Sequence, residues 1–288
     1  MIDLVNLRRD FHKNPETGFQ VNRTSQIIAT ILSDNGLKVT EGVGKTGVIA
    51  TLTGKDPNES IMLRADLDAL PITEKNTFDY KSTNKNKFHG CGHDGHAVML
   101  LGAALELNKS RQMNKTVHFL FQPNEENGLG ALAMINDGLF QRFPTKAIYG
   151  LHNMPQMQIG HFATQNGLFC AFEDNFKIKI DGFGGHSSTP EVGIDPILAG
   201  SILISKLQTI ISQSISPKIH ATLVVTNFET DGARNVIASS AIITGDCRGY
   251  ESQTSKILEK KIKQIAKGVK IASGTKISVS YKRSFPTL

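Results

Sequence analysis

The chain has 288 residues, 39% hydrophobic and 20% charged, which is enough for one large domain or two ordinary ones and excludes a disordered or fibrous protein. Its formal charge of +6 is concentrated between Lys256 and Arg283, where nine Lys or Arg face one acid, so the rest of the chain is slightly acidic. Those lysines lie opposite an apolar stripe of Leu258, Ile262, Ile265 and Val269 with no aromatic interleaving, so they read as the solvated face of a helix and not as a nucleic-acid surface.

In chain order, helical periodicity first predicts a helix over Ser25–Asn35, stopped by Gly36. Strands follow at Gly47–Thr53 and Ser60–Ala65, then a helix over about Gly95–Asn108. A strand at Thr116–Phe121, a short helix at Ala131–Asp137 and a strand at Ala147–Leu151 complete an α/β first half. The character then changes. Asn175–Ile180 alternates as a strand and leads to the glycine-rich turn Asp181–Gly185 and a long amphipathic helix over Ile194–Ser214. Strands at Ala221–Phe228 and Ala241–Arg248, the basic helix Thr254–Val269 and a last strand at Lys276–Lys282 follow. The order β-α-β-β-α-β is that of a ferredoxin-like module. The expected division is residues 1–167, a second domain over 168–283, and 284–288 beginning a return to the first.

Three polar clusters stand at the ends of apolar strands: Arg64-Ala65-Asp66-Leu67-Asp68, Gln122-Pro123-Asn124-Glu125-Glu126, and His152-Asn153. A fourth, His89-Gly90-Cys91-Gly92-His93-Asp94-Gly95-His96, opens a helix. Open α/β sheets bind ligands outside the carboxyl ends of their strands, so these clusters are expected to share one cleft. One thiol, several imidazoles and several carboxylates are the ligand set of zinc and similar divalent ions. Taken singly, a Cys-x-His pair is a common accident, adjacent glutamates are usually a solvated loop, and His152 alone is a core histidine. Taken together, each at an element end, they favour a metal site. Of the adjacent glutamates, one can bind metal while its neighbour acts as general base. The three cysteines, Cys91, Cys170 and Cys247, are too scattered for a disulfide framework. With no apolar run of membrane-spanning length and no secretory signal in MIDLVNLRRDFHKNPE, the expected location is the cytoplasm.

Seven stretches carry a resemblance: RRDFHKNPETG from Arg8, RADLDALPI from Arg64, FHGCGHDGH from Phe88, FQPNEE from Phe121, GLHN from Gly150, GGHSSTPEVGIDPI from Gly184 and RNVIAS from Arg234. In this order they resemble the amidohydrolase branch of the M20 metallopeptidase family, which includes N-acyl-amino-acid amidohydrolases, hippurate hydrolases and auxin-conjugate hydrolases. The resemblance implies a catalytic α/β sheet domain with an inserted ferredoxin-like lid and dimerisation domain. It implies two divalent ions, zinc or manganese with cobalt or nickel as alternatives, held by Cys91, His93, Glu126 and His152. Glu125 would be the general base and Asp68 an orienting carboxylate, with Asp66 less clearly placed. His186 would help stabilise the reacting carbonyl across a homodimer formed through the lid, and Asn235 and Arg248 would contact substrate. The substrate would be a small N-acyl amino acid, with no nucleic-acid or membrane partner.

The chain also departs from this pattern. Family members continue beyond the lid to complete the catalytic domain, and YKRSFPTL at Tyr281–Leu288 resembles the start of that return. No histidine follows His220, so the family's last metal-ligating histidine has no counterpart and four ligands of five remain. Ala238 stands where relatives carry proline. Apolar surface on the catalytic sheet is therefore expected to be exposed. The alternative function is a truncated, catalytically impaired remnant acting as a dimeric binding module or without function. A nucleobase deaminase lacks its Cys-x-x-Cys here, a serine hydrolase lacks its Gly-x-Ser-x-Gly, and a thiol hydrolase built on Cys91 would leave the paired glutamates idle.

Overall fold

A computed structural model describes residues 2–110 and 113–288, which divide into two compact units, Met1–Ile159 and Gly160–Leu288. The first unit contains helices α1 (Leu4–Lys13) and α2 (Asn22–Asp34), then strands β1 (Lys38–Val43), β2 (Gly47–Leu52) and β3 (Asp56–Asp66). It continues with α3 (His93–Ser110), β4 (Lys115–Gln122), α4 (Gly130–Asn136), α5 (Leu139–Arg142) and β5 (Ala147–Gly150). The sheet order is β1-β2-β4-β3-β5, with β4, β3 and β5 mutually parallel and the β1–β2 hairpin antiparallel.

Strand β4 explains why the motifs converge. It is buried on both faces, and so reads as a nearly continuous apolar run. Val117, Phe119 and Phe121 join Phe11, Ile28, Leu32 and Leu101 of α1, α2 and α3 in one core. Leu120 faces the other way, against Met134, Leu139 and Phe143 of α4, α5 and the following residue. Asp66 of β3 pairs with Gln122 of β4, and Arg64 with Gly150 of β5, so the carboxyl ends of all three strands lie side by side. At the edge, β5 leaves Ile148 and Tyr149 exposed, with Leu151 just beyond it also exposed.

The second unit contains β6 (Phe172–Asp181), β7 (Gly185–His186), α6 (Pro196–Ser214), β8 (Ala221–Thr230), β9 (Val236–Ile237), β10 (Ser240–Gly249), α7 (Ser252–Ser273) and β11 (Lys276–Phe285). Its four long strands form an antiparallel sheet in the order β11-β6-β10-β8, the ferredoxin-like arrangement. Phe176, Ile178 and Ile180 alternate inward from β6 and pack against Leu203 and Leu207 of α6 and Leu258 and Ile262 of α7. Helix α6 starts two residues later than its periodicity predicts, because the Asp195 carboxylate accepts the backbone N–H of Ile197 (2.7 Å) and Pro196 occupies the first turn. Lys256, Lys260, Lys263, Lys267 and Lys270 of α7 are exposed, so the basic stretch is a solvated helix face.

Candidate metal centre

The first unit gathers the clusters at the ends of β3, β4 and β5 around the N-terminus of α3. Asp68, just past β3, is fully buried. Its carboxylate accepts the backbone N–H groups of Glu125 (2.8 Å) and Glu126 (3.3 Å), which holds the loop after β4 in place. Burial pushes the Asp68 carboxyl up to about 6, although those two amides act in the opposite direction. Its backbone carbonyl accepts the Nδ1–H of His93 (2.7 Å). That bond selects the His93 tautomer and leaves Nε2 as a free lone pair, the arrangement of a metal-binding imidazole.

His93 Nε2 is buried without a hydrogen-bond partner, and so is Glu126 Oε1. The two atoms are 3.8 Å apart, with Asp66 Oδ2 at 3.7 Å and Glu125 Oε2 at 3.9 Å from the same nitrogen. These separations are too long for hydrogen bonds. They suit donors sharing one ion, since ligands at about 2.0–2.3 Å in a tetrahedral site lie roughly 3.3–3.8 Å apart. Donor atoms of Cys91, His93 and Glu126 all lie within 4.8 Å of one another, as do those of Asp66, His93 and Glu125 and those of His93, His96 and His152. Four carboxylates and a thiol meet here, and the guanidinium of Arg64, 2.8 Å from Asp66, is the one positive side chain paired into the group among the described residues. Burial, together with the negative charges of Glu126, Glu125 and Asp66, pushes the Cys91 thiol up to about 12. A divalent cation reverses that balance and takes the thiolate. The donor set therefore fits a metal ion.

Glu125 is set apart from its neighbour. Burial first, then the charges of Asp66 and Glu126, push its carboxyl up to about 7, in the range of a working general base. Burial also opposes ionisation of Asp66, but the hydrogen bond from His96 and the charge of Arg64 outweigh it and hold that carboxyl far below the usual range. His152 lies just beyond β5 and is exposed. Its Nδ1 donates to the Asn153 carbonyl (2.8 Å), and its ring stands edge-on to His93 (5.9 Å) and His96 (4.7 Å).

Of the residues expected to act, Cys91, His93, Glu125, Glu126, His152 and Asp68 come together in the first unit. In the second, His186 and Asn235 are neighbours: His186 of β7 pairs with Val236 of β9, and the Asn235 carbonyl accepts the Ser187 N–H (3.1 Å). Arg248 lies near the far end of β10 from Ser240 and is engaged with Glu173 (2.7 Å) and Asp246 (3.3 Å). Sequence reasoning missed His96 and Asn153 and left Asp66 unsettled. The three-residue spacing of His93 and His96 on one helix face was the available signal.

Relatives share this architecture. A hippurate hydrolase of Campylobacter jejuni is 40% identical over 95% of this chain and 71% of its own length. An N-acetyl-L-cysteine deacetylase of Bacillus subtilis is 36% identical over 99% of this chain and 68% of its own length. The solved structure of the Bacillus subtilis YXEP protein, described as a dinuclear metal binding peptidase from the M20 family, superposes with a TM-score of 0.80 at 31% identity, covering 99% of this chain and 74% of that one. The profile of peptidase family M20/M25/M40 matches residues 62–286, a span that includes every candidate ligand. With that match across most of its length, the chain belongs to peptidase family M20/M25/M40, in the amidohydrolase branch, and is an amide-bond hydrolase.

Proposed function

We propose that this protein hydrolyses the amide bond of small N-acyl amino acids, of the kind named for its hippurate hydrolase and N-acetyl-L-cysteine deacetylase relatives. Cys91, His93, Glu126 and His152 would hold two divalent ions, zinc or manganese. Such ions polarise a carbonyl oxygen and make water acidic enough to attack at neutral pH. The observation that carries the reading is the pair of buried, partnerless atoms, His93 Nε2 and Glu126 Oε1, facing each other beside a thiol.

The residues divide the work. Glu125 takes a proton from the attacking water as oxygen bonds to the amide carbon, and returns it to the nitrogen as the C–N bond breaks. Asp68 keeps Glu125 and Glu126 in place through their backbone amides and selects the His93 tautomer through its carbonyl. His186 of a second copy would donate to the developing oxyanion, and Asn235, its neighbour in the second unit, would contact substrate. The ion pairs of Arg248 support a structural part for it within its sheet. Strand β8 is a sheet edge with Val224 exposed, which supports pairing with a second copy through this unit. Among the described residues no helix is long and apolar enough to cross a membrane, and a thiol ligand suits the reducing cytoplasm.

The test is turnover of hippurate and N-acetylcysteine by this chain with added zinc or manganese, beside Glu125→Gln. The expected result is turnover lost by about 10²–10⁴-fold in the variant with metal content retained. A Glu125→Gln protein as active as the parent, or a parent that takes up no metal, ends the reading.

A further inference from the structure

The reading above leaves His96 and Asn153 without a role; His96 joins Asp66 on one side to Asn153 on the other. His96 lies one turn beyond His93 on α3 and is buried, as is Asp66. Its Nδ1 donates to Asp66 (2.7 Å), and Asp66 is braced in turn by Arg64 (2.8 Å). His96 Nε2 lies 2.7 Å from the Asn153 side-chain oxygen and 3.1 Å from its backbone nitrogen, so Asn153 holds the second ring nitrogen. Asn153 directly follows His152 and holds its ring through the carbonyl (2.8 Å).

The same carboxamide reaches the other half of the ligand set. Gly92, between Cys91 and His93, has φ +82°, and a β-carbon there would stand 2.7 Å from the Asn153 side-chain oxygen. Glycine is therefore required twice at this turn, by its backbone conformation and by the approach of Asn153. One residue thus touches the Cys91–His93 turn while gripping His152.

We propose that Asp66, His96 and Asn153 form a positioning relay that fixes the His152 side chain relative to the Cys91–His93 turn, so that His152 and the ligands of that turn reach the same metal. His96 is a positioning residue and not a ligand: both its ring nitrogens are engaged within the relay. The inference rests on the metal-site reading above. Outer partners that orient ligating groups typically contribute about 10–100-fold to metal affinity.

The probe is zinc alone, titrated into chelator-stripped protein by calorimetry with a competing chelator, alongside thermal melting of the metal-free forms. His96→Ala should weaken zinc binding about 10–100-fold. His96→Gln keeps a carboxamide that can both donate and accept near the Nε2 position and should lose only about 5-fold or less. Asn153→Ala, at an exposed residue, should lose about 10-fold with little change in melting, and it decides the matter if His96→Ala fails to fold. Lower melting with unchanged zinc affinity in all three variants would overturn the relay. Equal losses for His96→Gln and His96→Ala would overturn it in favour of direct ligation. If the parent binds zinc and the variants match it, only the relay falls; if the parent binds none, the proposed function falls with it.

Discussion

Each unit buries carboxylate charge, and the two are built on opposite terms. In the second unit Asp174 sits in the core beneath α7 and accepts the hydroxyls of Ser255 (2.5 Å) and Tyr281 (2.7 Å). Arg283 donates in turn to Ser255 (3.0 Å) and to Glu259 (2.6 Å). Acceptors there meet donors, and the cluster ties β6, β11 and α7 together. In the first unit Asp66, Glu125, Glu126 and Cys91 crowd around His93, whose Nε2 has no partner, and Glu126 Oε1 has none either. A satisfied buried network specifies a fold, whereas one with acceptors turned toward each other is costly until a cation arrives. The second unit spends its buried charge on stability and the first on chemistry.

Glu126→Gln should separate the two roles most sharply. The metal-free variant should melt at or above the parent, because a buried like charge is removed. Its zinc affinity should fall by more than the roughly 10–100-fold typical of outer partners, read by chelator competition. Lower melting with zinc binding intact would reverse the contrast. Asp174→Ala should do the opposite. Stranding the Ser255 and Tyr281 hydroxyls should cost about 3 kcal/mol, at about 1–3 kcal/mol for each group left without an acceptor, while zinc affinity stays within about 2-fold of the parent. Urea denaturation and the same zinc titration check both halves. Gly92→Ala tests the first unit more gently: the left-handed backbone alone should cost about 1–2 kcal/mol, with a several-fold loss of zinc affinity as Asn153 is pushed away. An alanine variant as stable and as zinc-avid as the parent would show that Asn153 does not press on this turn.

How far the sequence foretold this arrangement depended on what each element buries. Strands β3, β4 and β5 were legible because apolar runs lead straight into Asp66, Gln122 and His152, and the parallel register then aligns those ends. Helices α6 and α7 were legible from their apolar stripes. Helix α1 was overlooked although Leu4, Leu7 and Phe11 share one face along LVNLRRDFHK and pack on the core, because that stripe is only three residues long and is interrupted by charged residues. Strand β1, KVTEGV, escaped because it is a sheet edge with one buried residue. The chemical types at the centre could be read from Cys91, His93 and the paired glutamates. The contacts among Asp66, His96 and Asn153 could not, since they join β3, α3 and the segment after β5, and sequence order does not state which strands are neighbours.

The smallest expected effect comes from His12, a buried residue of α1 outside both clusters. Its Nδ1 lies 2.9 Å from Asp94 and its Nε2 3.1 Å from Glu74, so the charged ring donates to both carboxylates. Arg8 also contacts Asp94 (3.2 Å), His89 lies 6.3 Å away ring to ring, and Phe78, Tyr80 and Phe88 surround the remainder. Burial favours the neutral imidazole, but the hydrogen bonds and charges of Asp94 and Glu74 outweigh it, so His12 titrates above its ordinary 6.5. A group whose pKa is higher folded than unfolded stabilises the fold fully below the unfolded value, and that contribution is lost as pH rises through the folded one. Relative to His12→Gln, the parent should therefore lose stability as pH climbs from about 6.5, with the difference levelling off once the folded ring has deprotonated. Denaturant titrations of both proteins between about pH 6 and about pH 9 would read this directly. Parallel curves across that range would mean that α1 is held to the Glu74 loop and to the start of α3 by packing and neutral hydrogen bonds, without a charged histidine between them.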